Sequence, residues 1–371
     1  MKQPYDIAII GAGICGLAHA LAAAKRGKRC IVIERNLAAV GASIRNFGFI
    51  TVSGQERGAC WQRAKRSRDI WADIAGPAGI SITQRSMLVL AQNIETLNVL
   101  EAFRNDDMGE DCRLLSRSEM EHYTDLKTSH LKGALLSPHE LRVESKDAIP
   151  QLTRWLAEHW GVTFLWGTTV HTVEPPHIQT SQGTIHAESV IICPGDDLRT
   201  LFPERLSTYS LTRCKLQMMR LASGGIQANT PAIMSDLGVE RYRGYHHLPG
   251  HSALKRCLQR DKSAALAAGV HLIAVRSADG SQIVGDSHVY MDEPDPFTDA
   301  GVDELILTEH DSVFKHTPPV ITRWNGCYTS GPSTMVMDRV SDSVRIVLIT
   351  SGTGASTSFA IAEETLTDLW G

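Results

Sequence analysis

The chain has 371 residues, 43% of them hydrophobic and 21% charged, with a net charge of -4. That length allows two or three domains of ordinary size around a substantial core, and the near-neutral charge offers no general attraction to nucleic acid or to an anionic membrane, so neither is expected as a partner. The first strand begins almost at Met1 and no apolar run approaches the length of a bilayer-spanning helix, so a cytoplasmic protein without a signal peptide is expected.

Tyr5 to Ile10 is an apolar, β-branched run of the kind buried on both faces in a parallel sheet, and it breaks into Gly11-x-Gly13-x-x-Gly16. A helix follows. Gly11 permits the tight turn, Gly13 lets the backbone approach a pyrophosphate, and Gly16 lets the helix pack closely on the strand, its N-terminus facing the anion. Gly27 ends that helix and Arg29 to Ile33 form a second strand. Glu34 then lies 18 positions after Gly16, where a dinucleotide site places a carboxylate on the ribose hydroxyls. An acid there disfavours a 2′-phosphate and therefore NADP.

After Gly48 a polar turn around Ser53 and Gly54 leads to a helical stretch from Gln55 to about Ala75. Its basic run (Arg63, Lys65, Arg66, Arg68) reads as a solvated helix face or as one wall of an anion-receiving cleft. Gly79 to Gln92 reads as strands with a turn at Gln84-Arg85-Ser86, and Glu95 to Asn105 as a helix. Ser116-x-x-Glu119 is a capping box, and Ser145 is expected to cap a helix from about Lys146 to Trp160. Strand signals follow at Gly161–Trp166, Thr169–Val173, Ile178–Thr180, Gly183–His186 and Ser189–Cys193. Leu211 to Leu221 reads as one long strand, Arg241 to Tyr245 as another, and Asp261 to Ala268 as a small helical piece. Val270–Arg276 and Gln282–Tyr290, around Asp279-Gly280, read as an antiparallel hairpin. A helix from about Gly301 to Val313, a strand from Val320 to Tyr328 and a last strand from Val344 to Thr350 precede Gly352-Thr-Gly354, which opens the final helix.

The eight cysteines are scattered, with no Cys-x-x-Cys pair and no cluster of zinc spacing, so they read as small buried hydrophobes and no metal is expected. Helix-separated parallel strands at both ends and near the middle enclose two inserts rich in antiparallel signals. The expected fold class is α/β, a Rossmann-like dinucleotide domain with an inserted antiparallel-sheet substrate domain. The sequence leaves the oligomeric state open.

Four segments carry a resemblance: Gly11 to Glu34, Gly41-Ala-Ser-Ile-Arg-Asn-Phe-Gly48, Ala187-x-x-Val-Ile-Ile-Cys-x-Gly195, and Ser351-Gly-Thr-Gly-Ala-Ser356. They are similar to the FAD-dependent D-amino-acid oxidase superfamily, which includes glycine and sarcosine oxidases. Arg45–Gly48, Lys215–Met219, Val284–His288 and Thr353–Glu363 resemble, within it, a subfamily found with bacterial phosphonate-degradation genes. The resemblance implies FAD as cofactor and a two-domain fold like that of D-amino-acid oxidase and glutathione reductase. The FAD-binding domain would take residues 1–84, 143–208 and 322–371, and the substrate domain 85–142 and 209–321.

It implies, further, that Gly11, Gly13, Ile14, Cys15, Gly16, Glu34 and Arg35 hold the nucleotide, that Val170 holds the adenine through its backbone, and that Pro194 and Gly195 also contact the cofactor. Ser43, Arg45, Asn46, Phe47 and Gly48 would run beside the isoalloxazine. Gly352, Thr353, Gly354, Ala355, Ser356 and Thr357 would put a helix N-terminus near the flavin C2 carbonyl, where negative charge develops on reduction. His288, Arg45 and Tyr328 would be catalytic and, with Tyr242, would contact substrate. The implied reaction is oxidation of a small primary or N-methylated amine. Hydride passes to flavin N5, the imine hydrolyses, and O2 accepts the electrons to give H2O2. The favoured substrate is an aminophosphonate such as N-methyl-2-aminoethylphosphonate, yielding phosphonoacetaldehyde; the alternatives are a glycine- or sarcosine-type amino acid oxidase and a flavoprotein subunit without its own turnover.

Departures from the family pattern shape that reading. Where relatives clamp a carboxylate with an arginine in a Leu-Arg-Pro phrase, this chain has Gly326-Cys-Tyr-Thr-Ser-Gly331. Ser358 stands where sarcosine oxidases carry a lysine after the C-terminal glycines, so an ordinary α-amino acid is disfavoured. Arg45, Lys215, Arg241, Arg243 and Arg323 are the cations available to a phosphonate, and Arg45 is favoured because its segment adjoins the flavin. His288 is one residue out of register with the family's active-site histidine, and the sequence does not decide whether it or Ser287 faces the flavin. Cys327 lies one position from the family's flavin-linking cysteine and otherwise reads as a buried thiol. Ile283 replaces the lysine that promotes oxygen activation, leaving oxidase against dehydrogenase open.

Overall fold

Tyr5–Ile10 lies at the centre of a parallel sheet in the computed structural model, which describes residues 4–371. Cys30–Ile33 pairs on one side of it and Gly183–Ile192 on the other; Thr163–Leu165 and Val344–Ser351 extend the two edges, every pairing parallel. The period of two along the first strand divides its side chains between two cores. Ile7 and Ile9 pack under the helices Ile14–Lys25, Ser145–Trp160 and Gly354–Trp370, with Leu17, Leu152 and Phe359. Ala8 faces the opposite layer, with Ile31, Ile33, Val190 and Ile346. That second layer is closed by the antiparallel strands Val170–Glu174, His177–Thr180 and the first half of Gly183–Ile192.

A mixed sheet carries the remaining core. Thr212–Leu221 pairs antiparallel with Gln282–Gly285 on one flank and with Val320–Arg339 on the other. Gln282–Gly285 continues through Ile273–Arg276 and Ala232–Met234 to Ile82–Ala91 and Gly133–Val143. Met87, Leu88, Phe103, Met218, Ile233 and Phe314 fill this core. The strand Val320–Arg339 joins the two sheets. Its residues 320–330 pair with Thr212–Leu221, and its residues 330–339 pair with the parallel-sheet edge Val344–Ser351.

Several local expectations are corrected. Arg241–Tyr245 is no strand: Arg241 ends the helix Asp236–Arg241, and Arg243–Tyr245 forms a single 3-10 turn. The reason is packing, because Gly244 lies so close to Gly54 and Gln55 that a Cβ would fall 2.4 Å from the Gln55 carbonyl, while Tyr245 enters the core against Phe103. Gln84-Arg85-Ser86 is a bulge inside one strand, Ile82–Ala91, where Ser86 takes a φ of 71° and the register against Gly133–Val143 slips. Ser145 does not cap its helix; Glu144 holds that position and the Ser145 hydroxyl donates to Asn46 Oδ1 at 2.6 Å. Gly183–His186 and Ser189–Cys193 merge into one strand that changes partners midway. The helix expected near Asp261–Ala268 begins earlier, as His251–Asp261, and resumes at Ser263–Ala267.

Charge is buried where the two cores meet. Arg142, fully buried, donates to Glu144 at 3.0 Å, to the Phe47 carbonyl at 3.1 Å and to Thr83 at 3.1 Å. Arg220 reaches the other oxygen of Glu144 at 3.0 Å. Among the described residues no helix is long and apolar enough to cross a membrane.

Candidate active site

One cavity of about 640 Å³ runs from the glycine-rich turn after the first strand, past the C-terminal helix, into the mixed sheet. Its nucleotide end is a cradle that side chains would fill. A Cβ on Gly11, whose φ is +106°, would stand 2.4 Å from the Cys193 carbonyl oxygen, and one on Gly16 would stand 1.9 Å from the Gly11 carbonyl oxygen. Both positions admit only glycine, which keeps the turn tight and the helix against the strand. Ser43 approaches the same helix end: the Ile14 N–H donates to its Oγ at 2.9 Å. The Glu34 carboxylate accepts from the Ala12 N–H at 2.9 Å and from the Asn36 N–H at 3.0 Å, so it sits beside the turn where a ribose would lie.

The residues expected around a cofactor divide by position. Gly11, Gly13, Ile14, Cys15, Gly16, Glu34, Arg35, Ser43, Arg45, Asn46 and Phe47 line the cavity, as do Val170, Pro194, Gly195 and Gly352 to Ser356. Gly48 and Thr357 do not. Gly48 has a φ of +68° and a Cβ there would meet the Val143 carbonyl at 1.7 Å, so its work is chain packing. The Thr357 hydroxyl donates to the Thr353 carbonyl inside the helix. Arg35 is engaged by Asp197 at 2.6 Å, and the Asn46 amide ties its own loop through the Ala42 carbonyl and the Gly48 N–H.

The far end of the cavity is built by three neighbouring strands and one helix end. Tyr290 and Tyr328 pair with Cys214 from opposite sides, which sets their rings on one face. Asp286, His288 and Tyr290 follow at a spacing of two along their segment, and all three line the cavity. Ser287 points the other way and accepts from the Gln217 N–H, so of the two it is His288 that faces the cavity. Arg241 arrives from the end of its helix and donates to the Tyr290 hydroxyl at 3.1 Å; Tyr242 stands beside it, its ring centroid 5.9 Å from that of His271.

His271, Asp286 and His288 form a buried cluster. His271 Nδ1 lies 3.1 Å from Asp286 Oδ1, but out of line for a hydrogen bond, so both atoms are unpartnered. His288 Nε2 is 3.7 Å from Asp286 Oδ2, while its Nδ1–H donates to the Gly269 carbonyl at 3.1 Å. Burial raises the Asp286 carboxyl to about 7 against the pull of Arg241. Burial also holds both histidines well below their ordinary value, with Arg241 adding to the effect, so both rings are neutral.

Of the five cations considered for an anionic substrate, the fold occupies three. Lys215 pairs with Asp295 at 2.8 Å, Arg243 with Glu56 at 3.0 Å and Arg323 with Asp303 at 2.5 Å. Arg45 and Arg241 line the cavity with no carboxylate partner among the described residues. Cys327 lines it as well, its thiol pushed up to about 12 by burial and by Asp196. Ile283 and Ser358 are buried outside it. Sequence reasoning missed Asp286 and His271. The alternation of Asp286, His288 and Tyr290 was a usable signal for the first, whereas His271 joins only through its backbone N–H donating to the Asp286 carbonyl across the sheet.

The profile of the family described as DAO, FAD dependent oxidoreductase, matches residues 6–368. No curated protein sequence matches the chain. Glycine oxidase from Geobacillus kaustophilus superposes with a TM-score of 0.77 at 18% identity, covering 99% of this chain and 95% of that one. L-alpha-Glycerophosphate oxidase from Mycoplasma pneumoniae, solved with FAD bound, gives 0.77 at 14% identity over 100% and 96% of the two chains. L-proline dehydrogenase from P. horikoshii gives 0.74 at 18% identity over 98% and 92%. At such identities the likeness establishes the fold, a mixed-sheet α/β FAD-binding fold, and its bearers include oxidases and a dehydrogenase. The glycine cradle at the nucleotide end fits the cofactor, which is FAD. The family match runs almost from end to end, and the chain therefore belongs to the DAO family of FAD-dependent oxidoreductases.

Proposed function

We propose that the protein oxidises a small primary or N-methylated amine carrying an anionic group, with an aminophosphonate such as N-methyl-2-aminoethylphosphonate as the sharpest form. Bound FAD supplies the acceptor for the hydride removed from the carbon next to nitrogen. Residues 1–84, 143–208 and 322–371 take the cofactor, and 85–142 with 209–321 provide Arg241, Tyr242 and His288 to the substrate. The observation that carries the reading is Arg241, a guanidinium that borders the FAD cavity with the Tyr290 hydroxyl as its only side-chain hydrogen-bond partner among the described residues. A planar donor fork of that kind suits phosphonate or carboxylate oxygens. Arg45, exposed in a loop of the same cavity, supplies a second charge suited to a dianion. Imine hydrolysis then gives phosphonoacetaldehyde and methylamine, and O2 is the electron acceptor in this reading.

A glycine- or sarcosine-type substrate is the second reading, supported by the glycine oxidase fold and by the ability of Arg241 to hold a carboxylate equally well. Anaerobic flavin reduction by a substrate panel separates them. Faster reduction by N-methyl-2-aminoethylphosphonate than by sarcosine or glycine supports the first, and the reverse order overturns it. If no amine bleaches the flavin, the chain is a flavoprotein subunit without turnover of its own.

A further inference from the structure

We propose that His271, Asp286 and His288 form the seat for the substrate's ammonium group, and that Asp286 takes its proton before hydride transfer; this rests on the amine reading above. Asp286 and His271 are only 5% and 3% exposed, yet they border the cavity, and Asp286 Oδ1 and both His271 ring nitrogens have no hydrogen-bond partner in the protein. His288 spends its one N–H on the Gly269 carbonyl, so the nitrogen that faces Asp286 carries a lone pair. The cluster is therefore rich in acceptors and holds a single donor, the N–H of His271. Buried acceptors left without donors are costly, and a primary ammonium brings three N–H groups, an N-methylated one two. The ligand atoms lie within 4.8 Å of one another, a span that one nitrogen about 2.8 Å from each can bridge.

A divalent metal could use the same three side chains, but the neighbouring charge argues for the ammonium. Arg241 acts electrostatically on Asp286, His271 and His288, so a dication would add two positive charges beside a guanidinium. An ammonium adds one and can give it up. Around the carboxylate stand Arg241 and Tyr242 from the helix end, His271 and His288 from the flanking segments, and Cys214 from the adjoining strand. Tyr290 and Tyr328 complete the wall next to Arg241.

The chemistry balances. The N–H bond breaks, its electron pair stays on nitrogen and an O–H bond forms on Asp286. The C–H bond then breaks, its electron pair leaves as hydride to FAD, and the nitrogen lone pair becomes the second bond of an iminium. A carboxyl raised to about 7 suits the first step, being ionised above that pH and a stronger base than an ordinary carboxylate.

The test uses the FAD-loaded enzyme and N-methyl-2-aminoethylphosphonate. In the wild type, anaerobic flavin reduction should rise with pH through about 7 and level off well below the amine's own pKa. Asp286→Asn should lose that limb and instead gain about tenfold per pH unit up to the amine's pKa, with a loss of about 10²- to 10⁴-fold at pH 7.5. A variant that keeps the wild-type profile overturns the assignment. Should Asp286→Asn fail to load FAD, proton release by the wild type decides. Mixing in weak buffer at pH 8 should release no proton on binding, and one proton per flavin overturns the assignment. One equivalent of divalent metal in the purified holoenzyme overturns it too. If amines reduce the flavin with a profile independent of Asp286, this assignment alone falls; if none does, the amine reading falls with it.

Discussion

The ring of Tyr328 stands 3.0 Å from the point where a Cβ on Gly352 would lie, so the last glycine-rich turn and the substrate wall are fitted to one another at that contact. Gly352 also has a φ of +71°. Gly352→Ala must therefore strain the backbone and displace the phenol together. The expected result is a loss of about 1–3 kcal/mol in stability and a lower flavin content per chain, read from melting temperature and from the ratio of flavin to protein absorbance. A variant that is fully loaded and equally stable would show that the contact is soft.

At the other glycine-rich turn, Gly16→Ala and Gly27→Ala form an informative pair. The first puts a methyl group 1.9 Å from the Gly11 carbonyl; the second meets nothing within 4 Å and suffers only its φ of +69°. Gly16→Ala is expected to abolish FAD binding, and Gly27→Ala to cost about 1 kcal/mol with normal loading. Equal flavin content in both would remove the cradle argument.

Arg241 and Arg45 are ranked by their surroundings. Arg241 is the half-buried of the two and is held by Tyr290, whereas Arg45 is exposed. Arg241→Met should weaken the apparent affinity for an anionic amine about 10- to 100-fold, on the scale of a charged hydrogen bond worth about 1.5–3 kcal/mol. Arg45→Ala should weaken it less than about tenfold, as expected for an exposed ion pair. Anaerobic titration of flavin reduction measures both, and the opposite order would move the anion seat to Arg45.

Glu144 should prove critical to stability. It bridges two guanidiniums, one of them fully buried, so Glu144→Gln leaves Arg142 and Arg220 facing one another with an uncompensated charge. The expected loss is about 3–5 kcal/mol. Burial pushes the Glu144 carboxyl up, but Arg142, Ser277 and Arg220 together bring it below its ordinary value. A lowered carboxyl stabilises the fold above the unfolded-state pKa, near 4.3, and loses that contribution as pH falls further. Melting temperature against pH should drop more steeply below about pH 4 in the wild type than in Glu144→Gln.

The thiol of Cys327 is held protonated by burial, which leaves little thiolate to bond a flavin. Acid precipitation should release the yellow cofactor into the supernatant, and Cys327→Ser should load as much FAD as the wild type. Colour retained in the pellet and lost in the variant would identify a covalent link.

The nucleotide half was readable because its signals are local. Gly11, Gly16 and Glu34 act within one strand-turn-helix-strand unit, and the spacing of three glycines and an acid carries the geometry. The substrate end was less readable because its parts come from distant segments. Arg241 stood out only as one of five cations, and nothing in the sequence shows that Asp295, Glu56 and Asp303 neutralise three of them. His271 becomes a neighbour of Asp286 only through strand register, which composition does not encode. Arg241–Tyr245 misled for a related reason: its two tyrosines have strand character, and long-range packing of Gly244 on Gly54 overrides it.

The strand Val320–Arg339 ties two cores with one continuous backbone, sharing its ladder first with one sheet and then with the other. Such a beam transmits force between the cores instead of letting them hinge apart, and Ser330 belongs to both ladders, opposite Thr212 and Ser351. The two cores should accordingly lose structure in a single cooperative event, and an injury to either sheet should be felt by the flavin and the substrate wall alike.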